Sequence, residues 1–325
     1  MLTRRRLGLG LAAVPIAAYG QPAPAQQAPA HQMPAPGKRA WAAQVPMIRI
    51  GLLGGENDAD RLARYGGYRA LLEETFQVPA KMLAAADYAG VIQAFAAGQI
   101  EVAYMSPAAY AAAWLESNGD VEPLLTTEEK DGTTSYVSVM YTRADSGIVN
   151  LDGMRGHSLA WADPNSASGY LIPRAEFRAQ NIDLDRYFSR TGFAGGHEQA
   201  VIAVLNHQYD AGVTWTSGLG DANEGYTRGA LRSMVDKKML DMHDLRIIWK
   251  SRPIENGPLT VRKSTPDAFR ADMLAFHEAL PKAHPDVYHA VDMGNGGAWV
   301  RVQHADYQVF IDMLKQEAAE RRKGR

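Results

Sequence analysis

Asp163-Pro164-Asn165-Ser166-Ala167-Ser168-Gly169-Tyr170 is the stretch from which the rest of the chain can be read. A short apolar run, Ser158-Leu159-Ala160-Trp161-Ala162, leads into it, and a segment of helical pattern, residues 170–179, follows. A strand that enters a helix through a Ser/Gly turn leaves several backbone N–H groups without intrahelical acceptors. Together with the positive end of the helix dipole, those donors form an anion site. Ser166 and Ser168 add two hydroxyl donors on the same rim, and Gly169 allows the backbone to approach a ligand closely. A serine here is also the ordinary cap of a helix, so the surroundings have to decide between the two readings.

Upstream of the motif, residues 47–53 read as a strand ending in Gly54-Gly55, 58–76 as a helix and 78–83 as a strand. Asp87 caps a helix over 88–97, a strand covers 100–104, and Pro107 opens a helix that runs through Trp114. Such alternation predicts a parallel sheet covered by helices. Two extended runs, 123–127 and 135–142, interrupt it. Downstream of the motif it resumes: strands at 188–191, 211–215 and 245–250, with helices at 199–206 and 231–240. Helices over 266–280 and 307–320 close the chain. Two βα series separated by extended segments predict an α/β protein of two lobes, its cleft lying where helix starts from both lobes face each other.

The 325 residues carry a formal net charge of −2 and 46% hydrophobic side chains, enough for one large or two medium domains. That balance gives no electrostatic case for a nucleic-acid partner. The terminal run Arg321-Arg322-Lys323-Gly324-Arg325 reads as a solvated helix end. Absence of cysteine excludes disulfides and a cysteine-linked lipid anchor. At the N-terminus, Thr3-Arg4-Arg5-Arg6-Leu7 precedes an apolar run, 7–18, too short to span a bilayer. Residues 1–20 are therefore expected to be an export signal of twin-arginine type, and 21–46, rich in Pro, Ala and Gln, a disordered tether. The mature chain is expected free in the periplasm, without a transmembrane helix.

Other segments carry candidate chemistry. Asp87-Tyr88-Ala89-Gly90 sets an aromatic hydroxyl on the first turn of a helix, and Tyr136 in Ser135-Tyr136-Val137-Ser138 lies where the chain should cross between lobes. Gly195-Gly196-His197-Glu198 begins like a zinc-protease helix, but Val201 stands where the second histidine is needed, so no metal is expected. His197 could instead donate to an anion, with a charge that varies near neutral pH. An enzyme using His197 and Glu198 as acid and base with Ser168 as nucleophile is disfavoured, because adjacent residues at a helix start point in different directions.

Taken in order, Asp87-Tyr88-Ala89-Gly90-Val91-Ile92-Gln93, Ser135-Tyr136-Val137-Ser138-Val139, Asp163-Pro164-Asn165-Ser166-Ala167-Ser168-Gly169, Gly196-His197-Glu198 and Ile247-Ile248-Trp249-Lys250-Ser251 resemble the phosphonate/phosphite/phosphate-binding proteins of ABC importers, the PhnD-like group. The resemblance runs from about Ile48 to about Leu314. It implies a type II periplasmic binding fold of two hinged lobes, 47–137 plus 252–325 and 138–251, and a monomeric receptor serving an inner-membrane ABC permease without a cofactor. It also implies that Tyr88 and Tyr136 donate their hydroxyls to phosphoryl oxygens. Ser166, Ser168 and the backbone N–H groups of Ala167 and Ser168 would hold those oxygens from the second lobe, with His197 completing the shell. Ser135, Trp215 and Ser217 are further candidates. Two departures bear on the ligand. Ala167 lacks the hydroxyl often found between the serines. Ser217 and Gly257 stand where members that take aminoalkylphosphonates resemble one another in carrying acidic residues, with Glu255, Asp221 and Glu224 as possible substitutes. The implied ligand is phosphite, a short alkylphosphonate or phosphate, without an amino group. The alternatives are another small solute, such as a sulfonate or a thiamine-related compound, or a phosphoryl-acting enzyme on the same fold.

Overall fold

Strand–helix alternation from residue 48 builds two sheets in a computed structural model that describes residues 32–293 and 297–323. Four strands open the first sheet: β1 (Ile48–Leu52), β2 (Ala80–Ala84), β3 (Val102–Tyr104) and β4 (Val121–Thr127). Between them lie helices α1 (Asp58–Arg64), α2 (Gly66–Phe76), α3 (Tyr88–Ala96) and α4 (Pro107–Glu116). The second sheet takes β5 (Ser135–Arg143), β6 (Ser158–Trp161), β7 (Arg190–Phe193), β8 (Ala211–Thr216), β9 (Leu245–Lys250) and β10 (Ile254–Glu255). Its helices are α5 (Ile172–Ala179), α6 (Leu184–Tyr187), α7 (His197–Leu205) and α8 (Ala230–Asp236). The chain then returns to the first sheet with β11 (Pro258–Arg262) and β12 (Trp299–Arg301), and adds α9 (Asp267–Ala283), α10 (Pro285–Asp292) and α11 (Gln308–Lys323).

The strand orders are β12-β4-β11-β3-β1-β2 and β10-β5-β8-β6-β7, with β9 also on β5. The parallel sheet expected from the alternation forms around β1 and around β6, and strands passing between the lobes add antiparallel pairs to each. β1 pairs in parallel with β2 and β3, but β11 inserts antiparallel between β3 and β4. Likewise β6 is parallel to β7 and β8, while β5 runs antiparallel to β8 and β9. Strands β10 and β12, of two and three residues, are too short to display a period in the sequence.

Two local departures have plain causes. The helix expected over 58–76 breaks at Tyr65, because Gly66-Gly67 follow and each glycine costs a helix interior about 1 kcal/mol relative to Ala. The expected tether does not extend to residue 46. A short 3₁₀ turn over Ala40–Ala43 drives Trp41 into the first lobe, edge-on to Phe76 (5.7 Å) and Phe269 (5.0 Å). The indole N–H donates to Asp272 Oδ2 at 2.7 Å, and Val45 is buried beside it. One large aromatic in a polar stretch has no periodicity, so only the packing reveals it. Residues 1–31, which include the expected export signal, lie outside the described residues.

The two passages between the sheets, β4 to β5 and β10 to β11, run side by side. Asn256 ties them: its side-chain amide donates to the Thr127 carbonyl at 2.9 Å and its backbone N–H to the Thr134 carbonyl at 2.7 Å. No helix among the described residues is long and apolar enough to cross a membrane.

Candidate functional site

The carboxyl ends of β1, β3, β6 and β8 all open on one cavity of about 150 Å³ between the sheets, the place where open α/β sheets offer loops and helix starts to a ligand. Of the residues expected to bind, Tyr88, Tyr136, Ser166, Ser168, His197 and Trp215 line it.

Ser166 is both cap and rim. In extended conformation it ends the loop after β6, and its Oγ accepts the Gly169 N–H at 2.9 Å. The chain next makes one π turn, Ala167–Leu171, before α5 begins with Pro173 in its first turn. This widened turn buries Ser166, Ala167 and Ser168 together at the mouth of the helix. The Ser168 carbonyl is held by the Ser138 hydroxyl at 2.7 Å, and Ser138 in turn donates its N–H to Ser251 Oγ at 2.9 Å. Gly169 is required by space: a Cβ there would lie 2.6 Å from the Ala162 methyl and 3.1 Å from the His197 ring.

Tyr88, at the start of α3, completes the rim from the first lobe, and Tyr136, on β5, completes it from the serines' own sheet. The Tyr88 hydroxyl faces Ser166 and the Tyr136 hydroxyl faces Ser168. Burial raises both phenols far above their ordinary range, so each keeps its proton and acts as a donor. Asp163 locks the two sides together, accepting the Asn165 N–H within its own loop (2.7 Å) and the Tyr88 N–H at the start of α3 (3.3 Å).

His197 opens α7 after Gly196. Its Nε2 lies 3.2 Å from Ser166 Oγ and its Nδ1 3.1 Å from Thr214 Oγ1. Burial lowers its pKa to about 4, which corrects the expectation of a charge that varies near neutral pH: the ring is a neutral imidazole there. At this point the two lobes touch through glycine backbone. The Glu198 N–H donates to the Gly55 carbonyl (3.3 Å), and a Cβ on Gly196 would sit 2.5 Å from Gly55 Cα.

Three expected residues do not line the cavity. Ser135 pairs with Glu255 along β5 and β10, the Ser217 hydroxyl is bonded to Thr227 Oγ1 at 2.8 Å, and the Ala167 side chain packs into the core with Leu171. The carboxylate missing at Gly257 has a steric cause, since any Cβ there would overlap the Met105 carbonyl. Glu255, Asp221 and Glu224 are likewise absent from the lining.

The cavity's charged residues were not expected. Arg228 lies over the Trp215 ring (5.4 Å to its centroid), bonded to Glu129 and to Asp292 Oδ1 (3.2 Å), with all three ions buried. Glu56 pairs with Arg64 and, at 3.7 Å, with Lys237, which also meets Asp60 at 3.4 Å and Glu198 at 2.7 Å. Each of the three lining carboxylates, Glu56, Glu198 and Asp292, thus faces a cation of the chain. No local spacing signals these pairs. Among the described residues no group of three or more His, Asp or Glu could hold a metal ion.

This geometry can be set beside known proteins. The profile of a family described as the periplasmic phosphonate-binding component of ABC transporters matches residues 50–307. The chain belongs to that family. It is 29% identical over 218 residues, 63% of its length, to the "Phosphate-import protein PhnD" of Mycolicibacterium smegmatis. To the "Phosphonates-binding periplasmic protein" of Escherichia coli it is 28% identical over 225 residues, 68% of its length. The chain spans 62% of the length of each of these relatives. In fold it is similar to PhnD1 of Prochlorococcus marinus, solved in complex with methylphosphonate (TM-score 0.71, 13% identity, covering 84% of this chain and 98% of that one). The family is one of two-lobed type II periplasmic binding proteins, and the two sheets here are its two lobes.

Proposed function

We propose that the chain is the periplasmic receptor of an ABC importer and carries a small phosphoryl oxyanion without an amino group: phosphite, a short alkylphosphonate or phosphate. The observation that carries this reading is the meeting of two Tyr–Ser pairs, Tyr88 with Ser166 and Tyr136 with Ser168, at the entrance of one helical turn. All four hydroxyls are neutral donors, and each hydrogen bond to an anionic oxygen contributes about 1.5–3 kcal/mol. A cavity of about 150 Å³ accepts a phosphoryl group with a small substituent.

The amino group is excluded by charge. Every lining carboxylate is already engaged with Arg64, Lys237 or Arg228, so a ligand ammonium would be buried without a partner of its own, at a cost of several kcal/mol. The methylphosphonate carried by the Prochlorococcus marinus protein is a ligand of this class.

Ligand touches both lobes only when they are closed, so binding selects the closed form and a membrane permease can read it. The lobes divide at the passages that Asn256 ties, residues 128–134 and 256–257, so that β5 and β10 go with the rest of their sheet in the second lobe. Export by the twin-arginine route and action as a monomer belong to the same reading. Calorimetry with phosphite, methylphosphonate, phosphate, 2-aminoethylphosphonate and an alkylsulfonate tests it. Tightest binding is expected among the first three, and preference for the aminated or the sulfonate ligand overturns it.

A further inference from the structure

The neutral imidazole of His197 sits between two hydroxyls, and only one arrangement of their hydrogens serves an anion. Thr214 on β8, His197 at the start of α7 and Ser166 at the rim form an unbroken buried chain: Thr214 Oγ1 to Nδ1 at 3.1 Å, Nε2 to Ser166 Oγ at 3.2 Å. Ser166 Oγ also accepts the Gly169 N–H at 2.9 Å. If the imidazole proton were on Nδ1, bare Nε2 would take the hydroxyl hydrogen of Ser166, leaving none for a ligand oxygen. With the proton on Nε2, Ser166 accepts from both Gly169 and His197, and its single O–H points to the cavity side, where the Tyr88 oxygen or a ligand oxygen can accept it. That second state requires a donor to Nδ1, and the Thr214 hydroxyl is the group in place.

We propose that Thr214 is a positioning residue: by donating to Nδ1 it sets His197 in the Nε2–H tautomer, so that the imidazole acts on the anion through the Ser166 hydroxyl. Donors aligned in series polarise one another toward the ligand. The inference rests on the phosphoryl reading for its ligand but not for its tautomer, which belongs to the protein alone.

Two measurements test it separately. Nitrogen-15 NMR of histidine-labelled protein without ligand is expected to show His197 protonated at Nε2 in wild type and in Thr214→Ser. Thr214→Val should lose that preference and give a tautomer mixture. Calorimetry with methylphosphonate should find affinity about tenfold weaker in Thr214→Val, the loss of one bond to a charged group, and restored in Thr214→Ser. A wild-type ring protonated at Nδ1, or a Thr214→Val protein with unchanged tautomer and affinity, overturns the inference. If wild type bound none of phosphite, methylphosphonate and phosphate, the phosphoryl reading would fail, while the NMR arm would still decide the role of Thr214.

Discussion

Substituting Gly196 by alanine tests closure without disturbing either lobe. The residue is extended (φ 170°), a conformation any amino acid adopts, so the added methyl brings no backbone strain. Two groups would meet it. Gln199 Oε1 ends a flexible side chain and can turn aside, but Gly55 Cα, 2.5 Å away, is backbone of the opposite lobe. Ordinary contact requires the lobes to part there by about 1 Å. Parting stretches the Glu198-to-Gly55 and Asn57-to-Glu198 hydrogen bonds, each already 3.3 Å, and draws Tyr88 away from Ser166. Losing one charge-assisted bond to the ligand amounts to about 1.5–3 kcal/mol, or roughly ten- to hundredfold in Kd. The expected result is a Gly196→Ala protein with wild-type thermal stability in the absence of ligand and methylphosphonate affinity weakened by that factor in calorimetry. Small-angle scattering should show less compaction when ligand is added. Unchanged affinity would refute the argument that ligand is held only when these backbones meet.

Other consequences follow from buried charge. Arg228→Met leaves Glu129 and Asp292 buried without their cation and should cost about 3–5 kcal/mol in urea unfolding; a loss under 1 kcal/mol would mean that the trio is solvated. His197 and His277 have folded pKa values of about 4, below the 6.5 of the free side chain, and both are depressed first by burial. Their contribution is fully present above pH 6.5 and is lost as pH falls toward 4, because the unfolded chain binds the protons. The loss approaches about 1.4 kcal/mol per pH unit per histidine within that window. Burial raises the folded pKa of Asp163, which acts in the opposite direction at the acid end. Urea titrations at pH 7.5 and 5 should show the drop, and equal stability at both values would contradict neutral, buried imidazoles.

What the amino-acid order determined by itself was local. The Asp163–Tyr170 motif, the Asp87 cap before Tyr88 and the Gly-His-Glu helix start are read from neighbours within a few positions, because capping and helical or strand periods act over that distance. The same signals place one strand and helix after another, and hence the two βα series. Only tertiary structure decided which groups share the cavity. Arg228 meets Asp292 across 64 positions and Glu129 across 99, and Trp41 finds its pocket in a stretch whose composition reads as tether. Ser217 has the right type for a ligand but turns to Thr227, while Gly257 is glycine because the Met105 carbonyl fills the space. Ion pairing and close packing depend on where distant segments meet, and no periodicity along the chain records that.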